Sequence, residues 1–252
     1  MKNRSRHRLP LFAGICAAAL LAIPAASASA AFLTVTVDTA PPAANLTNEG
    51  TSDWVIYDSA ATATTSISPT NTKSGSSILN TAALTAVTVG NSVRGTGTKG
   101  SQTFTYNNGT SPAAQTAAII AEVFDSTLDV AGTGVKFSVG GDPLITRTLK
   151  VWATGFNGQG TLTATLPGVS NQFALSQLYT ASKVPTLFTI TYQPDSAADQ
   201  LGISYVMTTD SGGAATNSHV GIQAVTLSVP EPTAAVTLLG GLGMLLKRRR
   251  RA

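Results

Sequence analysis

The chain has 252 residues, of which only 11% are charged, and a formal net charge of +4. Nine of its 16 basic residues cluster at the two ends, so the interior, residues 31–229, keeps seven basic residues against eleven acids, a net charge of −4. That sign removes the electrostatic basis for a nucleic-acid partner. Cys16, the single cysteine, lies near the N-terminus and leaves the interior without disulfides or thiol chemistry.

The N-terminus has the layout of an export signal. Lys2, Arg4, Arg6 and Arg8 form a basic region, Leu11 to Ile23 an apolar one, and Ala28-Ser29-Ala30 an A-x-A site for signal peptidase. Ala26-Ser27-Ala28 is an equal alternative. There is no twin arginine, which favours the general secretory route. Ala13-Gly14-Ile15 before Cys16 is a poor and badly placed lipobox, which argues against a lipoprotein.

The interior, residues 31–229, is of a size for one domain with its own core. Alternation of apolar and polar residues predicts strands at Leu33 to Val37, Thr103 to Tyr106, Val135 to Val139 and Thr161 to Leu166. Further strands are expected at Trp54–Asp58, Leu84–Val89, Thr146–Thr154, Leu187–Tyr192, Gly202–Thr208 and Val220–Leu227. Turn residues punctuate them: Asn107-Asn108-Gly109, Gly140-Gly141-Asp142-Pro143, Asn157-Gly158 and Asp210-Ser211-Gly212-Gly213. Ala113 to Phe124 fits either a short helix or a buried strand. Many short strands with such punctuation predict an all-β fold, a single β-sandwich or jelly roll.

At the C-terminus, Pro230-Glu231-Pro232 is followed by an apolar run from Thr233 to Leu246 and then by Lys247 and Arg248-Arg249-Arg250-Arg251. The 14-residue run reaches only ~21 Å as a helix, short of a bilayer core of roughly 30 Å, and Gly240, Gly241 and Gly243 weaken it. It suits a temporary hold in the inner membrane, with the arginines kept cytoplasmic. The order of motif, span and arginine cluster over residues 229–252 resembles the PEP-CTERM sorting signal of exported bacterial proteins. That resemblance implies recognition of Pro230-Glu231-Pro232 by an exosortase, which removes the tail. Three segments follow: a signal peptide (1–30), a β-sandwich ectodomain (31–229) and a sorting signal with a hydrophobic helix (230–252).

The interior carries a second resemblance. Arg147 to Trp152, Asn157, Gly160, the strands Thr161–Leu166 and Phe188–Tyr192, and the closing Ile222–Leu227 are similar to the galactose-binding-like β-sandwiches common among surface proteins with such a tail. Asn45-Leu46-Thr47 and Gly50 to Trp54 resemble the opening of those domains. The pattern departs after Trp54, where Val55-Ile56-Tyr57-Asp58 stands in place of a second aromatic followed by glycine.

Catalytic chemistry is hard to assemble. His219 is the only interior histidine and no Gly-x-Ser-x-Gly elbow occurs, so His219 is expected to be structural and half-exposed. Neither a second interior histidine nor an interior cysteine exists to complete a metal site with it. Glu122, Asp125 and Asp129 would share one helical face and are expected to be solvated. Gly95-Thr96-Gly97-Thr98-Lys99-Gly100 matches G-x-G-x-x-G, but a strand-like segment follows it where a dinucleotide site needs a helix, so it is expected to be a hairpin loop.

Two binding expectations remain. Asp53, Asp58, Asp195, Asp199 and Asp210 are loop or strand-end acids that could hold a structural calcium, though in no recognisable calcium-loop pattern. Alternation in Thr148–Thr154 puts Trp152 and Lys150 on the polar face, where the indole could stack on a sugar, while Trp54 is expected in the core. The expected function is that of an exported, non-catalytic protein of the cell surface, outer envelope or extracellular matrix, associated with exopolysaccharide. The alternatives are a lectin-like carbohydrate-binding module and a polysaccharide-degrading hydrolase.

Overall fold

The computed structural model describes residues 30–59, 62–79, 82–95, 101–180, 184–213 and 216–229. The segment up to residue 29 expected to be a signal peptide, including Ala28, lies outside the described residues, as does the tail with Pro230, Glu231, Pro232 and Arg248 to Arg251. Ala30 is described and exposed. Among the described residues no helix is long and apolar enough to cross a membrane.

The described chain is almost entirely β. Its first half contains β1 (Phe32–Asp38), β2 (Ala44–Asn45), the helical turn α1 (Leu46–Glu49), β3 (Asp53–Ile56), β4 (Ser66–Ile67), β5 (Asn71–Thr72), β6 (Leu84–Ala86), β7 (Val93–Gly95), β8 (Thr103–Tyr106) and β9 (Gln115–Ile119). The second half contains β10 (Val123–Asp125), β11 (Gly134–Gly140), β12 (Arg147–Phe156), β13 (Gly158–Thr165), β14 (Gln172–Leu175), β15 (Thr186–Gln193), β16 (Gln200–Asp210) and β17 (His219–Ser228). Ala113 to Phe124 is no helix: it is two strands, β9 exposed and β10 buried, separated by Ile120 to Glu122.

Three sheets form. The largest runs β1-β15-β12-β17-β10-β7, with β3 and β5 joined to it through β17; a second runs β14-β13-β16-β11-β6-β4; a small third is β2-β8-β9. From β10 onward the strands divide between the two large sheets, β10, β12, β15 and β17 in one and β11, β13, β14 and β16 in the other, with only β13 and β14 following each other in the same sheet. The first half of the chain then supplies flanking strands and the small sheet.

Side-chain alternation builds the main core. Leu149, Val151 and Ala153 of β12 point between the large sheets to meet Leu162 and Ala164 of β13 and Ile203, Tyr205 and Met207 of β16. Gly160 permits this packing, because a Cβ there would stand 2.6 Å from the Tyr205 ring. The opposite alternation of β12 feeds a second core. Trp152 joins Trp54, Ile56 and Ala224 on the outer face of the eight-stranded sheet, and Ala44, Leu46, Phe104, Tyr106 and Ile120 close over them. The molecule is therefore a sandwich with a third layer on one side. The outer face of the six-stranded sheet carries no such layer among the described residues: its residues alternate with buried ones and remain half-buried or exposed.

β17 changes neighbours part-way. Residues 224–227 pair with β3 and residues 221–222 with β10, and the register against β12 shifts at the same point. Gln223 bridges the junction: its carbonyl accepts the Tyr57 N–H at 2.9 Å and its side-chain amide donates to the Ile120 carbonyl at 3.0 Å.

Candidate functional site

Trp152 does not face solvent. It is 1% exposed and meets Phe104 edge-on at 6.1 Å between ring centres, under the third layer. Its alternation in β12 is as expected, but β8 and α1 cover that face, so the ring cannot stack on a sugar. Lys150, on the same side, forms an ion pair with Glu49 at the end of α1. Trp54 lies in this core as expected, with its indole Nε1 donating to Asn108 Oδ1 at 2.9 Å.

The five acids considered for calcium stand apart and are occupied. Buried Asp53 accepts the N–H groups of Trp54 and Leu79 at 2.8 and 2.7 Å. Asp58 accepts that of Ala121 at 2.7 Å, Asp195 that of Ala31 at 2.6 Å and Asp199 that of Ser196 at 3.1 Å. Asp210 accepts from Gly212, Gly213 and the Ser218 hydroxyl. Among the described residues no three Asp, Glu, His or Cys side chains gather as a metal site.

His219 and Glu122 depart from expectation together. His219 is 7% exposed and Glu122 1% exposed, and Nε2 lies 2.9 Å from Glu122 Oε1 while Nδ1 lies 2.5 Å from the Asn217 carbonyl. The imidazole stacks on Phe124 at 4.0 Å, and the Arg94 guanidinium lies over the same Phe124 ring, 5.1 Å from its centre. Asp125 is buried as well, accepting the Asn91 side-chain amide and the Thr127 N–H. Burial of a carboxylate requires such partners, and the side chains of Asn91 and His219 come from 34 and 97 residues away, beyond the reach of a local pattern. The pair links the segment before β10 to the start of β17. Asp129, the third acid of that set, clasps the neighbouring loop. The Ser218 N–H at 2.6 Å, with further bonds from the Asn217 backbone and the Thr216 and Ser218 hydroxyls, holds its carboxyl below the ordinary range. Gly95 of the G-x-G-x-x-G run closes β7, and the rest of the run lies outside the described residues.

A cleft of about 390 Å³ opens beside the second core, between the β3–β5 edge and β9. Asp58, Thr70, Asn71, Tyr106, Ser111 and Gln115 supply its polar groups, and Ile56, Pro112 and Ala117 to Ile120 its apolar wall. Buried Asn71 organises it. Its Nδ2 donates to Tyr106 Oη at 2.9 Å and the Pro112 carbonyl at 3.1 Å, and its Oδ1 accepts the N–H groups of Thr110 and Ser111. Tyr106 Oη thus accepts one bond and keeps its proton to donate. The cleft has a single carboxylate, Asp58, so the opposed pair a glycosidase needs is not assembled there.

The open face of the six-stranded sheet is the other distinctive surface. Cross-strand partners line up as Phe173, Thr163, Ser204, Lys136, Thr85 and Ser66, all pointing away from the core. Flanking positions on the same side are Thr161, Thr165, Ser138 and Gly202. Lys136 is its one charge among the strand residues, and Phe173, at its edge, is 65% exposed. Strand β14, which carries Phe173, has no alternation visible in the sequence beyond four residues.

No protein-family model matches the chain, and no curated protein matches it. Among solved structures, a cyclase from Fischerella sp. TAU in complex with 4-(1H-indol-3-yl)butan-2-one is similar over 78% of this chain and 90% of its own, at 16% identity and a TM-score of 0.32. A likeness of that size bears on neither fold nor activity.

Proposed function

We propose that the protein is an exported, non-catalytic component of the cell surface or extracellular matrix that associates with neutral polysaccharide. The observation that carries this reading is the acid-free, hydroxyl-lined face of the six-stranded sheet, in an interior that is otherwise net negative. Threonine and serine hydroxyls both donate and accept, as a polyhydroxylated chain requires, and an exposed phenylalanine at the edge offers a sugar ring an apolar surface. The face is too polar to be a buried protein interface of the apolar kind. Within the same reading, β10 to β17 constitute a jelly roll of the galactose-binding-like kind, supported by their division, four and four, between two antiparallel sheets.

Binding to the producer's own extracellular polysaccharide tests this. Thr163→Glu and Phe173→Ala, both on exposed or half-exposed positions, should each weaken binding about tenfold, or 1.4 kcal/mol, with unchanged thermal stability. Equal binding by wild type and both variants would remove the face from the mechanism.

Sorting is part of the proposal and rests on Pro230-Glu231-Pro232 and the arginine cluster. Signal peptidase and an exosortase would act at the two ends, with transient anchoring in the inner membrane between the two steps. Mass spectrometry of the protein recovered from the cell surface should find Arg248 to Arg251 absent. An intact arginine cluster on the mature protein would make the tail a permanent anchor instead.

A further inference from the structure

The geometry points to a second carbohydrate site, for a single neutral sugar ring, in the cleft between the β3–β5 edge and β9. This inference rests on the reading that the protein associates with extracellular glycan, and it adds a site on the opposite side of the molecule.

The lining fixes the ligand class. None of the residues that form the cleft is basic, so an anion has no counter-charge there. Its volume of about 390 Å³ sits at the lower end of the roughly 300–1,000 Å³ typical of small-molecule sites. Its polar groups include the Asp58 carboxylate, the Tyr106 hydroxyl with its proton to give, and the Gln115 amide, which is exposed. Ile119, 44% exposed, with Pro112 and Ala117, forms an apolar patch facing the same space. One hydroxylated edge against acceptors and donors, with one apolar face against aliphatic carbon, is the amphipathic pattern of a pyranose.

Two further observations favour a built site over an incidental gap. Asn71 is 5% exposed and uses its side chain to hold Tyr106, the Pro112 carbonyl and the Thr110–Ser111 backbone, which fixes the Tyr106 hydroxyl and this loop before any ligand arrives. Ala117, in the lining strand β9, has φ of 56°, a left-handed conformation that is costly for alanine and recurs at ligand sites.

The placement has a consequence. The cleft borders the second core, on the outer side of the eight-stranded sheet, whereas the hydroxyl-lined face belongs to the six-stranded sheet. Two glycan contacts on opposite sides make one molecule able to bridge two polymer chains.

Saturation-transfer NMR on protein expressed from the full chain tests the site, with glucose, galactose, mannose and N-acetylglucosamine as probes. At least one sugar should receive saturation, with a Kd on the order of 1 mM. Asp58→Asn with Gln115→Leu should abolish the transfer without unfolding the protein, because the asparagine keeps an oxygen for the Ala121 N–H and Gln115 is exposed. Thr163→Glu should leave it intact. Absence of transfer to all four sugars, or transfer that survives the Asp58→Asn, Gln115→Leu variant, overturns the site. Polymer binding measured on the same proteins reads the six-stranded face separately: a protein that binds polymer but no monosaccharide fails the cleft alone, and one that binds monosaccharide but no polymer fails the face alone.

Discussion

Trp152→Ala is expected to destabilise the protein by about 3–5 kcal/mol, the range for emptying a buried aromatic site. The indole is 1% exposed and occupies the centre of the second core, against Phe104 and beside Trp54 and Ala224. Removing it opens a cavity between the eight-stranded sheet and the third layer, and the small sheet has only three short strands with which to collapse over the gap. Trp152→Phe should be far milder, within about 1.5 kcal/mol. It keeps most of the apolar surface and deletes Nε1, a buried donor with no hydrogen-bond partner among the described residues. Denaturant unfolding of the two variants beside wild type gives the comparison, and a fall in Tm of roughly 2–4 °C per kcal/mol should accompany it. Equal stability of wild type and Trp152→Ala would mean that the third layer does not hold the ring. The same variant loses its value as a probe of sugar binding, since any loss of binding would follow from unfolding.

The different legibility of the strands has a physical cause. β11, β13, β15 and β16 each bury one side between the sheets, so their apolar residues recur with period two, and that period is visible in the chain. Ala113 to Phe124 has no such period because β9 is exposed almost throughout and β10 is buried on both sides; neither condition produces alternation. Strands of two or three residues, such as β2, β4 and β5, are too short to show a period at all. The covering of Trp152 is a non-local fact of another order. Alternation puts it on the face opposite Leu149 and Val151, but whether that face meets water depends on Leu46 and Phe104, which reach it from 106 and 48 positions away in the chain. The cleft is equally diffuse, drawing on positions from Ile56 to Ile120 with no motif among them. Acidic residues mislead for a related reason. Composition places Glu122 and Asp125 on the surface, and partners distant in the chain, His219 and Asn91, help make their burial tolerable.

That dependence predicts the behaviour of the Glu122–His219 pair. Asn217 presents a carbonyl to Nδ1, which must therefore carry a proton, and the carboxylate faces Nε2, so a second proton lies between the histidine and Glu122. Breaking a pair of this kind from either side leaves a polar group buried without its partner, at a cost of about 3–5 kcal/mol. Glu122→Ala and His219→Ala should each fall in that range, the second also losing the stack on Phe124. Glu122→Gln retains an oxygen for Nε2 and should cost less, about 1–3 kcal/mol. The double variant Glu122→Ala, His219→Ala should be more stable than the sum of the singles implies, with a coupling of about 1–3 kcal/mol. Additive single costs would show that the two side chains are buried independently. Polysaccharide binding by Glu122→Gln should match wild type, because neither residue lines the cleft or the open face. A large loss of binding with the fold intact would instead move Glu122 from the internal frame to a ligand contact, and would reopen the hydrolase reading, since a second carboxylate beside Asp58 is what that reading lacks.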